Sequence, residues 1–83
     1  KHLTEEYERY QAELARAIGA RIRARRIELG LSQAQLRARL EAERVPVSRT
    51  HYSRLERGEC LPNAAVLLAL GKALGVGVAG IIK

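Results

Sequence analysis

Residues that start helices alternate along this chain with residues that end them, and this order constrains the fold more than any other feature. The alternating residues are Thr4, Gly30, Ser32, Pro46, Ser48, Gly58, Pro62, Asn63 and Gly75. Serine, threonine and asparagine are preferred N-caps, and glycine ends helices in a left-handed conformation. Proline forces the residue before it into an extended conformation. The chain is therefore divided into short segments that begin and end as helices do.

The first of these segments has the apolar period of a helix. Its apolar residues are Tyr7, Tyr10, Leu14, Ile18, Ile22 and Leu29. They predict one long helix from Thr4 to Gly30, or two helices joined near Gly19.

The remaining segments predict four further helices. Two of them follow the caps Ser32 and Ser48, the third starts after Pro62-Asn63, and the fourth is a weak turn in the glycine-containing tail VGVAGIIK. The β-branched alternation that is typical of strands is absent. The prediction is an all-α fold of five helices, with the apolar segment from Ala64 to Leu74 as the central core helix.

Size and charge restrict the possible partners. The chain has 83 residues, enough for one small domain, and a net charge of +6, which favours polyanionic partners. No apolar run is long enough to span a bilayer, so we expect no membrane partner. The single Cys60 fits a reducing interior, and we expect a cytoplasmic location.

The segment SRTHYSRLERG, from Ser48 to Gly58, is the main candidate for function. On a helical wheel, Tyr52 and Leu55 lie on one side, and Val47 enters from the preceding turn. The other side carries hydroxyl groups and arginines. Such a helix fits the major groove of B-form DNA, where arginine makes bidentate hydrogen bonds to guanine. A solvated surface helix with ordinary charges is the alternative interpretation of the wheel alone.

Three motifs in a fixed order resemble the phage-repressor-like (Xre/Cro) helix-turn-helix family. They are the run LGLSQ at Leu29 to Gln33, the segment from Ser48 to Gly58, and the apolar ending that starts at Pro62 and runs to LGV. The resemblance covers about Ile18 to Ile82. It implies a five-helix repressor-like domain whose recognition helix is the basic segment.

The resemblance also implies DNA-binding roles for seven residues: Gln33, Ser48, Arg49, Thr50, Ser53, Arg54 and Arg57. Arg49, Thr50 and Arg54 take positions that face base edges. The other four take positions that approach phosphates, Gln33 from a helix N-terminus and Ser48 as the cap of the recognition helix. The family further implies an ion pair between Glu56 and Arg26 that fixes the angle between two helices.

The sequence departs from the family in the turn between the two motif helices. The family has a short turn that contains glycine, whereas this chain has the longer LEAERVPVS without glycine. Arg37 replaces a customary alanine where the two helices nearly touch. We therefore expect the first motif helix to be longer and the helix pair to be spaced or rotated differently. Arg37, Arg39 and Arg44 become additional candidates for phosphate contacts.

The chain divides into an N-terminal helical extension, residues 1–17, and the helix-turn-helix domain, residues 18–83. The extension carries an apolar stripe of Leu3, Tyr7, Tyr10 and Leu14 at helical spacing. This stripe either packs on its own domain or forms a homodimer contact. A second candidate contact comprises Val78, Ile81 and Ile82, although closure of their own core is the simpler role.

The residues contain no catalytic constellation, metal-ligand spacing or phosphate loop. We therefore expect no enzyme activity, no cofactor and no small-molecule ligand. Two functions remain. The first is sequence-specific binding of double-stranded DNA by a homodimeric, repressor-like transcriptional regulator. The second is a helix-turn-helix-like module that binds protein without reading DNA.

Overall fold

The computed structural model describes residues 2–83 of the chain, with side chains from Leu3 onward. The described residues form five helices: α1, His2–Glu28; α2, Gln33–Ala42; α3, Arg49–Glu56; α4, Ala64–Leu74; and α5, Ala79–Ile82. The predicted all-α fold is confirmed.

Helix α1 is continuous through Gly19, so the alternative of two joined helices is wrong. Its 27 residues give a length of about 40 Å, which sets the longest dimension of the molecule, 42 Å. The predicted start at Thr4 is also wrong, because the helix includes residues from His2 onward. A threonine in the first turn is compatible with helix, so the capping hydroxyl was a misleading signal at this position.

The predicted caps of the next two helices, Ser32 and Ser48, are confirmed, and so is the helix start at Pro62-Asn63. The Ser32 hydroxyl accepts the Gln35 N–H, and the Gln35 side chain accepts the Ser32 N–H, which completes a capping box. The Ser48 hydroxyl accepts the N–H of His51 at 3.1 Å. Asn63 caps α4 in the same way, and Gly75 ends α4 with a left-handed φ of 71°.

The core draws on all five helices, and each contributes at least one side chain that is almost fully buried. These side chains are Ile22 of α1, Leu36 and Leu40 of α2, Tyr52 and Leu55 of α3, Leu70 and Leu74 of α4, and Ile81 of α5. Helix α4 packs against α1, α2 and α5, as expected of a core helix. Helix α3 packs chiefly against α1 and α2. Helix α3, the predicted recognition helix, therefore lies at the edge of the domain, and one of its sides is open.

The turn between α2 and α3 contains a left-handed residue that is not glycine. Arg44 has a φ of 70° and takes the conformation that glycine usually supplies. The N–H groups of Arg44 and Val45 donate to Glu41 and Leu40, so the turn closes directly on the end of α2. Val47 then enters the core, 8% exposed, one residue before the cap of α3.

The first three turns of α1 extend beyond the rest of the domain. Leu3, Tyr7 and Tyr10 are 80%, 61% and 59% exposed, so packing on their own domain is wrong for these three residues. Leu14 packs against the core. In the tail, Ile81 is buried and closes the core, whereas Ile82 is 40% exposed.

Candidate nucleic-acid interface

Helix α3 is anchored on one side only. Tyr52 and Leu55 are buried, as the helical wheel predicts. Arg49, Thr50, Arg54 and Arg57 are exposed, and Ser53 is half-buried. The eight-residue helix is about 12 Å long, and its open side carries hydrogen-bond donors and positive charge. A helix with its side chains is about 10–12 Å in diameter, which fits the major groove of B-form DNA, about 12 Å wide.

Two glycines allow α3 to lie unusually close to α1. A Cβ atom on Gly19 would clash with the carbonyl oxygen of Leu55 and would lie 2.7 Å from that of Glu56. From the other side, a Cβ atom on Gly58 would lie 2.6 Å from the Cα atom of Arg16. The C-terminal end of α3 therefore rests on the backbone of α1, which fixes the direction in which α3 points.

Glu56 joins the three helices that form the interface. Its carboxylate accepts hydrogen bonds from Arg26 Nε at 2.6 Å and from Arg26 Nη2 at 3.1 Å, which confirms the predicted ion pair. It also accepts from the Tyr52 hydroxyl and, at 3.2 Å, from the side-chain amide of Gln33. The side chains of Arg26 and Glu56 are only 12% and 3% exposed. The pair therefore holds α1, α2 and α3 together in a largely dry environment.

These contacts shift the ionisation of the buried groups. Burial acts to raise the pKa of Glu56, but the hydrogen bonds from Arg26 and Tyr52 prevail and hold that pKa below its ordinary value. Burial, together with the hydrogen bond to Glu56, raises the pKa of Tyr52. Glu56 is thus an anion and Tyr52 a neutral donor at neutral pH.

Gln33 of α2 and Ser53 of α3 are half-buried and contact each other. The Ser53 hydroxyl donates to the Gln33 side-chain oxygen at 3.2 Å, while the Gln33 amide nitrogen donates to Glu56. The side chain of Gln33 therefore links α2 to α3 in this structure. In the first turn of α2 the N–H of Gln35 donates to the Ser32 hydroxyl, whereas the N–H groups of Gln33 and Ala34 precede the first bonds of the helix and could face an anion.

A shallow groove lies between the N-terminal ends of α2 and α3. Its walls are Gln33, Ala34, Arg37 and Arg49. Arg37 is not wedged between the helices: its Nε donates to the carbonyl oxygen of Val47 at 3.0 Å, across the long turn. The arginine that replaces the customary alanine thus secures the turn and adds positive charge to the groove.

Several other arginines satisfy helix C-termini. Arg25 Nε and Arg39 Nη1 donate to the carbonyl oxygens of Leu74 and Ala73 at the end of α4, at 2.9 and 3.1 Å. Arg21 donates to the carbonyl oxygen of Ile81 at 3.4 Å. Cations at these positions also interact favourably with the helix dipole. Part of the positive charge of the chain therefore supports the fold.

Glu59 is a residue of the interface that the sequence analysis missed. Its carboxylate pairs with Arg57 Nε at 2.7 Å and with Arg54 Nε at 3.5 Å, and the hydrogen bond from Arg57 lowers the pKa of Glu59. Gly58, with a φ of 74°, reverses the chain, and the N–H of Glu59 bonds back to the carbonyl oxygen of Arg54. The LERGE run is the signal, because a left-handed glycine after a helix returns the next residue over the last turn.

Comparison with known proteins agrees with this geometry. None of the helices in residues 2–83 is both long enough and apolar enough to cross a membrane. Searches of curated proteins and of solved structures gave no match. The model of a helix-turn-helix domain family matches residues 17–80, which is most of the chain and includes α2, α3 and α4. The chain therefore belongs to the helix-turn-helix domain family.

Proposed function

We propose that the protein binds double-stranded DNA in a sequence-specific manner, as a homodimer, and regulates transcription as a repressor-like factor. In this proposal α3 lies in the major groove. Arg49, Thr50 and Arg54 contact base edges, while Ser48, Ser53 and Arg57 contact phosphates. The first turn of α2, at Gln33, approaches a phosphate from the other side of the groove.

The observation that supports the proposal best is the contrast between the two sides of α3. The buried side is fixed to α1 and α2 by Tyr52, Leu55 and Glu56. The open side carries exposed arginines from the first residue of the helix, Arg49, to its last turn, at Arg54. A rigid helix with a basic outer face is suited to base readout, because its side chains start from fixed positions.

The alternative, a module that binds protein, receives less support. The core of a protein–protein interface is enriched in aromatic and apolar groups. The open side of α3 presents no large apolar side chain, because Tyr52 and Leu55 are both buried. A charged helix of this kind favours a nucleic-acid partner.

The test separates base readout from general attraction. Binding sequences are first selected from random duplexes, and the affinities of Arg49→Ala and Arg54→Ala are then measured on the selected and on random duplexes. Each variant should lose about 1–3 kcal/mol of discrimination at one base pair. Lys72→Ala, which removes the same charge from α4, is the matched control and should keep the sequence preference. Equal losses on both duplexes for both arginine variants would refute base readout by α3.

A further inference from the structure

The N-terminal half of α1 is a helix whose apolar side has no cover from its own domain. Leu3, Tyr7 and Tyr10 are all more than half exposed, on turns that project beyond the other helices. A helical segment of about a dozen residues is marginal in water without tertiary packing. Large apolar side chains clustered on such a segment indicate a surface that another molecule covers.

The apolar side continues along the whole helix as a heptad stripe. Leu3, Tyr10, Ala17 and Ala24 recur every seven residues. The two alanines are partly or fully exposed, so the stripe is accessible in both halves of α1. A seven-residue repeat follows one line on a helix that coils gently around a partner. The side chains of the stripe are large in the N-terminal half of α1 and small in the C-terminal half.

The charge of α1 is divided in the same way. Between Leu3 and Leu14 there are four glutamates and one arginine, whereas between Ala15 and Glu28 there are five arginines and one glutamate. Arg21, Arg25 and Arg26 contact their own domain, and Arg16 and Arg23 are the exposed arginines of this half. The acidic half carries the large apolar residues, and the basic half carries the alanines. Each half therefore complements the other half in both size and charge, which a single α1 cannot exploit within itself.

We propose that α1 pairs with α1 of a second copy of this chain in an antiparallel arrangement, and that this pair is the dimer seam. One register places Leu3 against Ala24 of the second copy and Tyr10 against Ala17 of the second copy. The alanines let the helix axes approach to about 8 Å, and the large side chains fill the space beside them. The inference deepens the proposed function, because it rests on the homodimer and names its contact.

The same register pairs opposite charges at the edge of the seam. Glu6 lies beside Arg23 of the second copy, and Glu13 lies beside Arg16 of the second copy. These four side chains are exposed in the single chain. A parallel pair would instead place the glutamates of the two acidic halves together and leave the alanines facing alanines. Charge and size therefore both select the antiparallel arrangement.

Disulfide formation tests the direction and register of the pair, without DNA. Cys60 is replaced by serine, and the Leu3→Cys, Ala24→Cys and doubly substituted chains are oxidised. Within one α1 these positions are about 31 Å apart, too far for an internal disulfide. Only the double variant should form a covalent dimer. Cross-linking of Leu3→Cys alone would show a parallel pair, and no cross-linking of any variant would reject the register; either result overturns the proposal.

Sedimentation tests the seam itself. Ala24→Glu, on the exposed stripe, should raise the dimer dissociation constant at least tenfold. Ala12→Glu, on the opposite side of α1, is the matched control and should leave it unchanged. A monomeric unmodified chain, or equal effects of the two variants, would overturn the seam. If a monomeric chain binds DNA, the dimer seam is wrong and the proposed DNA contacts are still supported. If the chain dimerises but does not bind DNA, the proposed DNA contacts are wrong and the seam is still supported.

Discussion

At the scale of single residues, Gly19 determines how closely α3 approaches α1. Helix propensity disfavours glycine within a helix by about 1 kcal/mol relative to alanine, and α1 is nevertheless continuous there. The compensation is tertiary, because the last carbonyl groups of α3 occupy the place of a side chain. From the sequence alone Gly19 is expected to weaken the helix, whereas in the structure it allows α3 to pack closely against α1.

The substitution Gly19→Ala should therefore destabilise the protein, contrary to helix propensity. We expect the free energy of unfolding to fall by about 2 kcal/mol, because the new methyl group pushes against backbone atoms that cannot rotate away. Ala20→Gly, at the exposed neighbouring position, is the control and should cost about 1 kcal/mol through propensity alone. Urea unfolding measures both. A gain in stability for Gly19→Ala would contradict the close contact with α3.

Glu56 makes the free energy of unfolding depend on pH, and its contribution is lost at low pH. The pKa of Glu56 is lower in the folded protein than its ordinary value of 4.5. Its stabilising contribution is therefore complete above about pH 4.5 and is lost as the pH falls through the folded pKa. Glu56→Gln should lower the free energy of unfolding by about 2 kcal/mol at pH 7. The difference between the two proteins should shrink below about pH 4, and a constant difference from pH 7 to pH 3 would contradict the assignment.

At the scale of helices, the sequence predicts where helices form better than it predicts which side chains contact each other between helices. The caps Ser32, Ser48 and Asn63 are local signals, and the structure places each at the start of a helix. The links of Gln33 to Glu56 and Ser53 join residues more than 19 positions apart. Such links depend on how two helices cross, which no local pattern records. The role of Gln33 in joining α2 to α3 was therefore outside the reach of sequence reasoning.

We expect Glu59, which follows the end of α3, to weaken DNA binding. In the free protein its carboxylate holds Arg57 and Arg54, and beside DNA the same charge repels phosphates. Glu59→Gln should therefore raise the affinity for selected and random duplexes alike, by about threefold or more at low salt, with a steeper salt dependence. Glu28→Gln, at the end of α1, removes an exposed charge of the same sign and is the control. Equal effects of the two substitutions would show that only net charge matters.

At the scale of the whole molecule, α1 serves two purposes. Its C-terminal half packs against α3, α4 and α5 and contributes Ile18 and Ile22 to the core. Its N-terminal half projects and carries the proposed dimer seam. One recognition helix reads only about 4 or 5 base pairs, so a second copy doubles the length of DNA that is read. The same helix therefore contributes to the core of the domain and, in the proposed dimer, to the placement of two domains on an inverted repeat.

Binding of duplex DNA by the basic face of this domain is tested by the salt dependence of its affinity. The dissociation constant of the intact protein is measured on a selected duplex and on a random duplex over a range of salt concentrations. We predict that log K falls against log salt with a slope of roughly −4 to −7, as about 4 to 8 phosphates are neutralised. We also predict that the protein prefers the selected duplex at every salt concentration. A flat salt response, or equal affinity for the two duplexes throughout, would contradict sequence-specific DNA binding by this face.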